Sequence, residues 1–133
     1  MNHKGTKDTK KRSDILSHQI IESAIEVHRT LGPGLLETVY ESALCYELSQ
    51  RSIPFERQKR LPVQYKHISL DCNFRLDILV DGLVIVELKA VERMEPLFNA
   101  QLLTYLKLSG LWLGLLLNFN VPVMKQGIQR IVN

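Results

Sequence analysis

The spacing of apolar residues predicts two helices in the first part of the chain. Between residues 15 and 31 the apolar positions recur every three or four residues, with Asp14 or Ser17 as the expected N-cap. Residues 32–34, with the sequence Gly-Pro-Gly, should end this helix, because glycine and proline both break helices. A second helical pattern covers residues 36–50.

Apolar residues at alternate positions predict strands in the middle of the chain. The predicted strands cover residues 55–59, 61–67, 71–80 and 83–90. Short connections separate these segments, so consecutive strands should pair antiparallel and form a meander.

One further helix and two further strands are expected after residue 90. Pro96 suits the first turn of a helix over residues 97–108 that stops at Gly110. Residues 112–119 form an apolar run of strand length, and residues 127–132 suit a last short strand. A strand that follows a crossover helix should lie parallel to a central strand. The predicted fold class is therefore α/β (α+β), with two N-terminal helices, a central mixed sheet of four to five strands and one crossover helix.

Side-chain parity predicts the length of the loop near Gly82. The even positions of the two adjoining strands are apolar and should form one core face, whereas the charged residues stand at odd positions. A two-residue turn would place Asp77 and Glu87 on opposite faces and divide the apolar set. A three-residue loop over residues 80–82, with Gly82 in the left-handed conformation, makes both faces consistent. We therefore expect an odd number of loop residues.

Three ionisable residues, Asp77, Glu87 and Lys89, should then share one face of two adjacent strands. Two carboxylates and a lysine are what a site for a hard divalent cation and an attacking water requires. The alternative is a set of ordinary solvated charges on an open sheet face. Residues 83–90 are apolar on both faces, which argues against an exposed edge strand and favours a cleft.

Length and composition fit one compact domain over residues 14–133. A chain of 133 residues with 45% hydrophobic residues can bury one core. The longest apolar run, residues 111–117, is too short to cross a bilayer. Residues 1–12 lack the apolar centre of a signal peptide, so we expect no membrane association and a cytoplasmic location.

The basic character of the chain is concentrated at its start. Residues 1–12 contain five Lys or Arg and one Asp, a net charge of +4, whereas the whole chain carries +3 and the remainder therefore −1. Residues 1–13 are predicted to be a disordered basic tail, with contact to phosphates as the alternative. Net charge alone does not predict a nucleic-acid partner for the folded part.

Three more residues are candidates for the same cleft. Gln101 and Tyr105 lie one turn apart in the third predicted helix, so both project from one face. Glu37 falls in the first turn of the second helix, where a carboxylate interacts favourably with the helix dipole. Each position also has an ordinary structural explanation. Gln101 could be a boundary residue beside a packed Tyr105, and Glu37 could only stabilise the helix dipole. Taken singly, these explanations are as good as a role in the cleft.

Together these motifs resemble a known protein family. Residues 34–41, Gly-Leu-Leu-Glu-Thr-Val-Tyr-Glu, resemble the signature of the GxxExxY protein family, a compact branch of the PD-(D/E)XK nuclease superfamily. Residues 101–105 resemble the Gln-x-x-x-Tyr motif of its RecB-like nucleases, and the resemblance extends over residues 14–133. Leu76 departs from the proline that gives the superfamily its name.

The resemblance implies a restriction-endonuclease-like core and metal-assisted hydrolysis of a phosphodiester. Asp77, Glu87 and the backbone carbonyl of Leu88 would hold Mg²⁺, with Mn²⁺ as a substitute. Lys89 would orient or deprotonate the attacking water. Glu37 would bind a water of the metal or a second ion.

The resemblance also implies the partner and the remaining roles. Gln101 would position a ligand of the ion, and Tyr105 would contact the phosphate backbone. The substrate would be nucleic acid, with DNA favoured over RNA, and a homodimer stays open. Two alternatives come from other classes: a catalytically inactive nucleic-acid- or protein-binding module, and a Mg²⁺-dependent hydrolase of small phosphorylated molecules, which would need a closed pocket.

Overall fold

The computed structural model describes residues 6–133, and it confirms the predicted fold class. Residues 1–5 of the predicted tail lie outside the described residues. The elements in chain order are α1 (Lys7–Leu31), α2 (Glu37–Gln50), β1 (Phe55–Tyr65), β2 (Ile68–Val80), β3 (Val84–Lys89), α3 (Pro96–Ser109), β4 (Leu113–Asn118), a 3-10 helix (Met124–Gly127) and β5 (Ile128–Val132).

The five strands form one mixed sheet in the order β1-β2-β3-β4-β5. All neighbours are antiparallel except β3 and β4, which are parallel and are joined by α3, so the predicted crossover is confirmed. Every residue of β4 is buried, as is all of β3 except its last residue, so the centre of the sheet is covered on both faces.

Each face of the sheet carries its own apolar cluster. Helices α1 and α2 cover one face, and the cluster there includes Ile20, Tyr40, Leu44, Val86 and Leu115. Helix α3 covers the other face, with a cluster of Leu76, Leu79, Ile85, Leu102, Leu106 and Leu116. A Cβ at Gly114 in β4 would lie 3.0 Å from the Leu102 side chain, so the glycine permits α3 to approach the sheet closely.

The loop between β2 and β3 has an odd number of residues, as predicted. Val80 pairs with Val84, which leaves residues 81–83 as the loop, one position later than expected. Asp81 (φ 51°) and Gly82 (φ 63°) are both left-handed, whereas only Gly82 was expected to be. The Leu83 N–H closes the turn by donating to the Val80 carbonyl at 2.9 Å. Aspartate tolerates the left-handed conformation better than most residues.

The prediction that all even positions share one face is wrong for Leu76. Ile78 packs with the α1 and α2 cluster, but Leu76 packs with the α3 cluster, so β2 changes face at Asp77. Opposite Asp77 in β1 stands Gln58, whose φ of 50° interrupts the regular pairing of the two strands. A left-handed residue in one strand twists the pair locally, which accounts for the change of face.

Helix α1 begins at Lys7, so the predicted start near residue 14 is wrong. The Thr6 side chain is the N-cap and accepts a hydrogen bond from the Thr9 N–H at 3.0 Å, whereas Asp14 and Ser17 lie inside the helix. Residues 7–13 are therefore helical and not disordered. Lysine and arginine are good helix formers even where no apolar stripe reveals the helix. No helix in the described part of the chain is long and apolar enough to span a membrane.

Strands β1 and β2 extend beyond the rest of the sheet as a two-stranded arm. The segments 55–59 and 61–67, predicted separately, form one strand, and β3 pairs with β2 only at residues 78–80. We call residues 60–75 the ribbon. Its strands pair with each other as far as Tyr65 and Ile68, where a two-residue turn connects them.

Tyr40 fixes the connection between α1 and α2. Its buried hydroxyl donates to the Gly32 carbonyl at 2.6 Å and accepts from the Leu35 N–H at 3.1 Å. Its ring stacks on Phe119, with the ring centroids 4.6 Å apart. Gly32 (φ 75°) and Gly34 (φ 97°) supply the left-handed conformations of this loop. The tyrosine therefore sets where α2 begins.

Replacing Tyr40 with phenylalanine should retain the stacking and remove both hydrogen bonds. We expect the free energy of unfolding to fall by about 1–3 kcal/mol, because the Gly32 carbonyl and the Leu35 N–H lose their hydrogen-bond partner. Urea unfolding measures this change. Tyr46→Phe is the control, since the Tyr46 side chain is 61% exposed and its hydroxyl should matter by less than about 0.5 kcal/mol. Equal unfolding midpoints for the two variants would contradict the prediction.

Candidate active site

Asp77 and Glu87 meet where β2 and β3 stop pairing. The last paired residues are Ile78 and Val86. Beyond them, the Asp77 N–H donates to Glu87 Oε2 at 2.8 Å, and the Leu88 N–H donates to Asp77 Oδ2 at 2.9 Å. Each carboxylate thus accepts a hydrogen bond from the backbone of the opposite strand. These two bonds replace further ladder bonds and hold the carboxylates beside each other.

The two carboxyl groups have no counter-ion in the described chain. Glu87 is buried and Asp77 is half-buried, and neither takes part in any of the ion pairs among residues 6–133. Burial, and after it the neighbouring Asp77 carboxylate, raises the pKa of Glu87 to about 8. Burial also raises the pKa of Asp77, against the opposing hydrogen bond from Leu88. A pair of this kind is suited to binding a cation.

The pair also has oxygen atoms available as ligands. Asp77 Oδ1 and Glu87 Oε1 accept no hydrogen bond from the residues that the structure describes. Among the described residues, every buried side-chain oxygen or nitrogen has a hydrogen-bond partner. Because Asp77 Oδ1 and Glu87 Oε1 have none, these two atoms are not buried and reach solvent. No three His, Cys, Asp or Glu side chains between residues 6 and 133 are grouped closely enough to hold an ion. A third ligand would have to be a backbone oxygen, a water or a substrate oxygen.

The Leu88 carbonyl is placed to be such a backbone oxygen. Successive residues of a strand direct their backbone groups to alternate sides. The Lys89 carbonyl accepts a hydrogen bond from the Phe119 N–H at 3.0 Å, on the β4 side. The backbone groups of Leu88 therefore face β2, where its N–H contacts Asp77.

Lys89 ends β3 and is half-buried beside α3. Its Nζ lies 4.3 Å from the centroid of the Phe98 ring, a cation–π contact, and it forms no ion pair in the described part of the chain. Its charge nevertheless lowers the pKa values of Asp77 and Glu87 and opposes the effect of burial. The ammonium is thus close to the pair but not bound to it.

Asn118 holds the chain that follows Lys89. This buried residue accepts a hydrogen bond at Oδ1 from the Val91 N–H at 3.1 Å and donates from Nδ2 to the Val91 carbonyl at 2.9 Å. Sequence analysis missed this role. The available signal was a single amide at the end of an apolar strand, where it needs a partner.

Glu37 lies in the first turn of α2, as predicted, and its side chain is exposed. Partial desolvation raises its pKa, and the Asp77 carboxylate adds to the effect, whereas Lys89 lowers the pKa. Glu37 is therefore within electrostatic range of the pair without joining it.

Glu41 is a second acidic residue of α2, which sequence analysis did not single out. Its buried carboxylate accepts hydrogen bonds from Arg57 Nε at 3.0 Å and from Gln58 Nε2 at 2.7 Å. Gln58 is the left-handed residue opposite Asp77, so Glu41 holds the irregular point of β1. The sequence feature that could have identified Glu41 is its position one helical turn after Glu37.

The two residues of the third-helix motif have different surroundings. The half-buried Tyr105 ring stacks on Phe74 of β2 at 5.1 Å, and its pKa is raised by burial and then by the Glu87 carboxylate. Gln101 is exposed, and its side chain makes no hydrogen bond to any residue in 6–133. Both residues belong to α3, but the structure brings only Tyr105 near the carboxylates and leaves the Gln101 side chain in solvent.

Comparison with known proteins identifies a family for the chain. A family model described as the PD-(D/E)XK nuclease superfamily matches residues 14–131. No curated protein and no solved structure matches the chain. The three helices and mixed five-stranded sheet are those of a restriction-endonuclease-like fold, as predicted. Because the family model covers most of the sequence, the chain belongs to the PD-(D/E)XK nuclease superfamily.

Proposed function

We propose that this protein is a Mg²⁺-dependent nuclease that hydrolyses phosphodiester bonds, with DNA favoured over RNA. The observation that carries the proposal is the pair of Asp77 and Glu87, two carboxylates held together by backbone donors without a counter-ion among the described residues. Membership of a nuclease superfamily supports it.

The residues present fit a hard divalent ion. Asp77, Glu87 and the Leu88 carbonyl would hold Mg²⁺ or Mn²⁺, because both prefer oxygen ligands. Glu37 would hold a second ion or a water. When bound, the ion would neutralise charge on the phosphate and make water a better nucleophile.

Three further side chains would act on the substrate or the water. Lys89, beside the pair but not bound to it, orients the attacking water as an ammonium or takes a proton from it as a neutral amine. Tyr105 contacts the phosphate backbone from α3. Gln101, exposed one turn earlier on that helix, positions a ligand of the site.

The openness of the site supports a polymeric substrate. Glu37 on α2 and Gln101 on α3 are both exposed, so the carboxylates lie at an end of the sheet that solvent reaches. A hydrolase of small phosphorylated molecules would instead need an enclosed pocket around the reacting group.

Labelled nucleic acids test the proposal. Single- and double-stranded DNA and RNA are incubated with the protein in Mg²⁺, Mn²⁺ or EDTA, and the products are separated by length. We expect cleavage with either metal and none in EDTA. Asp77→Asn, purified in the same way, controls for contaminating nucleases. Binding without cleavage would indicate a non-catalytic binding module instead.

Metal binding should separate the carboxylates from the lysine. Asp77→Asn and Glu87→Gln should lose both nuclease activity and Mg²⁺ binding, whereas Lys89→Ala should bind Mg²⁺ and lose only hydrolysis. For the wild type we expect about 2.7 kcal/mol of stabilisation at a metal concentration of about 100 times Kd, and none for the two carboxylate variants. Calorimetric titration and thermal unfolding measure these effects. Unchanged Mg²⁺ binding in both carboxylate variants would leave the pair with a structural role only.

The stability of the metal-free protein should depend on pH through Glu87. The folded state retains a proton on Glu87 up to about pH 8, whereas the unfolded chain releases it near 4.5. The contribution of Glu87 to stability is therefore fully present below pH 4.5 and is lost as pH rises towards 8, by on the order of 4–5 kcal/mol.

Urea unfolding in EDTA at pH 5 and pH 8 measures this loss. The Glu87→Gln substitution should remove most of the difference in stability between the two pH values. Replacing EDTA with Mg²⁺ should do the same for the wild type, because a cation favours the ionised carboxylate. Glu92→Gln, at an exposed position, is the control and should retain the wild-type pH dependence. A wild-type protein that is equally stable at both pH values would contradict the prediction.

A further inference from the structure

The ribbon leaves the body of the protein next to the candidate active site. Residues 68–73 are all exposed, and this part of β2 pairs only with β1. The ribbon begins two residues before Asp77, where β2 changes face. A long exposed two-stranded arm buries little apolar surface, so folding of the core does not account for its length.

Two arginines stand directly opposite each other at the base of the ribbon. Arg60 in β1 is paired with Arg75 in β2. Directly opposed side chains have Cβ atoms about 4.5–5.5 Å apart, and like charges in such a pair are destabilising. Both arginines are exposed, and no carboxylate forms an ion pair with either in the described chain. The one hydrogen bond at this pair runs from Arg60 Nη1 to Asn73 Oδ1 at 3.2 Å.

The arginine pair is close to the carboxylates and to Tyr105. The Arg75 charge lowers the pKa values of Asp77 and Tyr105, so its field extends to both groups. The preceding residue, Phe74, stacks on the Tyr105 ring. Successive strand residues project to opposite faces, so the Arg75 side chain leaves the other face of the ribbon, two residues along β2 from Asp77.

The charge of the ribbon differs in sign from that of the acidic pair. Residues 60–75 contain three Lys or Arg and one Asp, a net charge of +2. A two-stranded ribbon is also narrow enough to enter the major groove of B-DNA. Positive charge on a projecting ribbon is thus suited to a polyanion that extends beyond the site.

We propose that Arg60 and Arg75 form a phosphate clamp, which holds the sugar-phosphate backbone of the substrate next to the scissile bond. Guanidinium groups bind phosphate oxygens in a bidentate manner, and a phosphate between the two arginines would remove their mutual repulsion. The inference rests on the proposed nuclease function, since it assumes a nucleic acid in the site. It adds a binding subsite outside the catalytic residues.

The test is binding of fluorescent single-stranded and duplex DNA in EDTA, where no metal-dependent cleavage occurs. Anisotropy is measured for the wild type and for Arg60→Gln/Arg75→Gln between about 50 and 200 mM salt. We expect the double variant to bind at least about tenfold more weakly. Two lost phosphate contacts should reduce the slope of log K against log salt by about 1.8 on duplex DNA.

Lys7→Gln/Lys11→Gln is the charge-matched control. Both lysines are exposed in the first turns of α1, where Lys10 lies over Trp112. Trp112 precedes β4, and Lys89 is paired with the last residue of that strand, so this end of α1 lies at the opposite end of β4 from Lys89. The control should bind DNA like the wild type. Equal losses in the two double variants would mean that only net charge matters, and this result would overturn the clamp.

Two further measurements exclude a merely structural effect. Arg60→Gln/Arg75→Gln should be as stable as the wild type in urea or slightly more stable, because like-charge repulsion is removed. Arg60→Lys/Arg75→Lys should retain the wild-type salt slope and bind more weakly than the wild type, because lysine cannot bind in a bidentate manner. A stable Arg60→Gln/Arg75→Gln variant with wild-type affinity overturns the clamp.

The clamp and the nuclease function can fail separately. If the wild type cleaves DNA and the arginine variant binds unchanged, only the clamp is wrong. If the arginine variant loses affinity and the wild type cleaves nothing in Mg²⁺, the clamp stands and hydrolysis is wrong. A wild type that binds no nucleic acid overturns both.

Discussion

Two carboxylates held side by side in a largely buried position are the constraint on which the surrounding structure depends. Asp77 and Glu87 accept backbone hydrogen bonds from opposite strands, so their proximity requires β2 and β3 to separate there. The separation requires β2 to change face, and this change is matched by the left-handed Gln58 in β1. Glu41 in turn holds Gln58. An arrangement that raises carboxylate pKa values without a cation costs stability, as functional sites commonly do.

The layout of charge around this pair is ordered along the sheet. The acidic pair lies near the carboxyl end of β3, Lys89 and Tyr105 lie beside it on the α3 side, and Arg60 and Arg75 lie on the ribbon. A divalent cation would complement the first group, and a phosphate backbone would complement the arginines. Complementary charges placed in this sequence suit a metal-dependent site that acts on a long polyanion.

Local pattern predicted most of the fold and the proximity of Asp77 and Glu87. The alternation of side chains alone predicted an odd number of residues in the loop between β2 and β3, because only such a loop keeps the apolar side chains of the two strands on a common face. The same loop length predicted that Asp77 and Glu87 lie close together. The start of α1 was missed because residues 7–13 have no apolar stripe. The face change at Leu76 was missed because it depends on Gln58 and Glu41 in other elements. Cross-strand pairs such as Arg60 with Arg75 require a register that no single segment encodes.

Anomalous diffraction from crystals grown with Mn²⁺ tests most directly whether the carboxylate pair is a metal site. We expect an anomalous peak within bonding distance of an oxygen of Asp77, an oxygen of Glu87 and the Leu88 carbonyl, with the two backbone hydrogen bonds to the carboxylates retained. The same crystals of Glu87→Gln should lack that peak. Mn²⁺ peaks only at other positions, with Asp77 and Glu87 free of metal in the wild type, would contradict the assignment of this pair as the metal site.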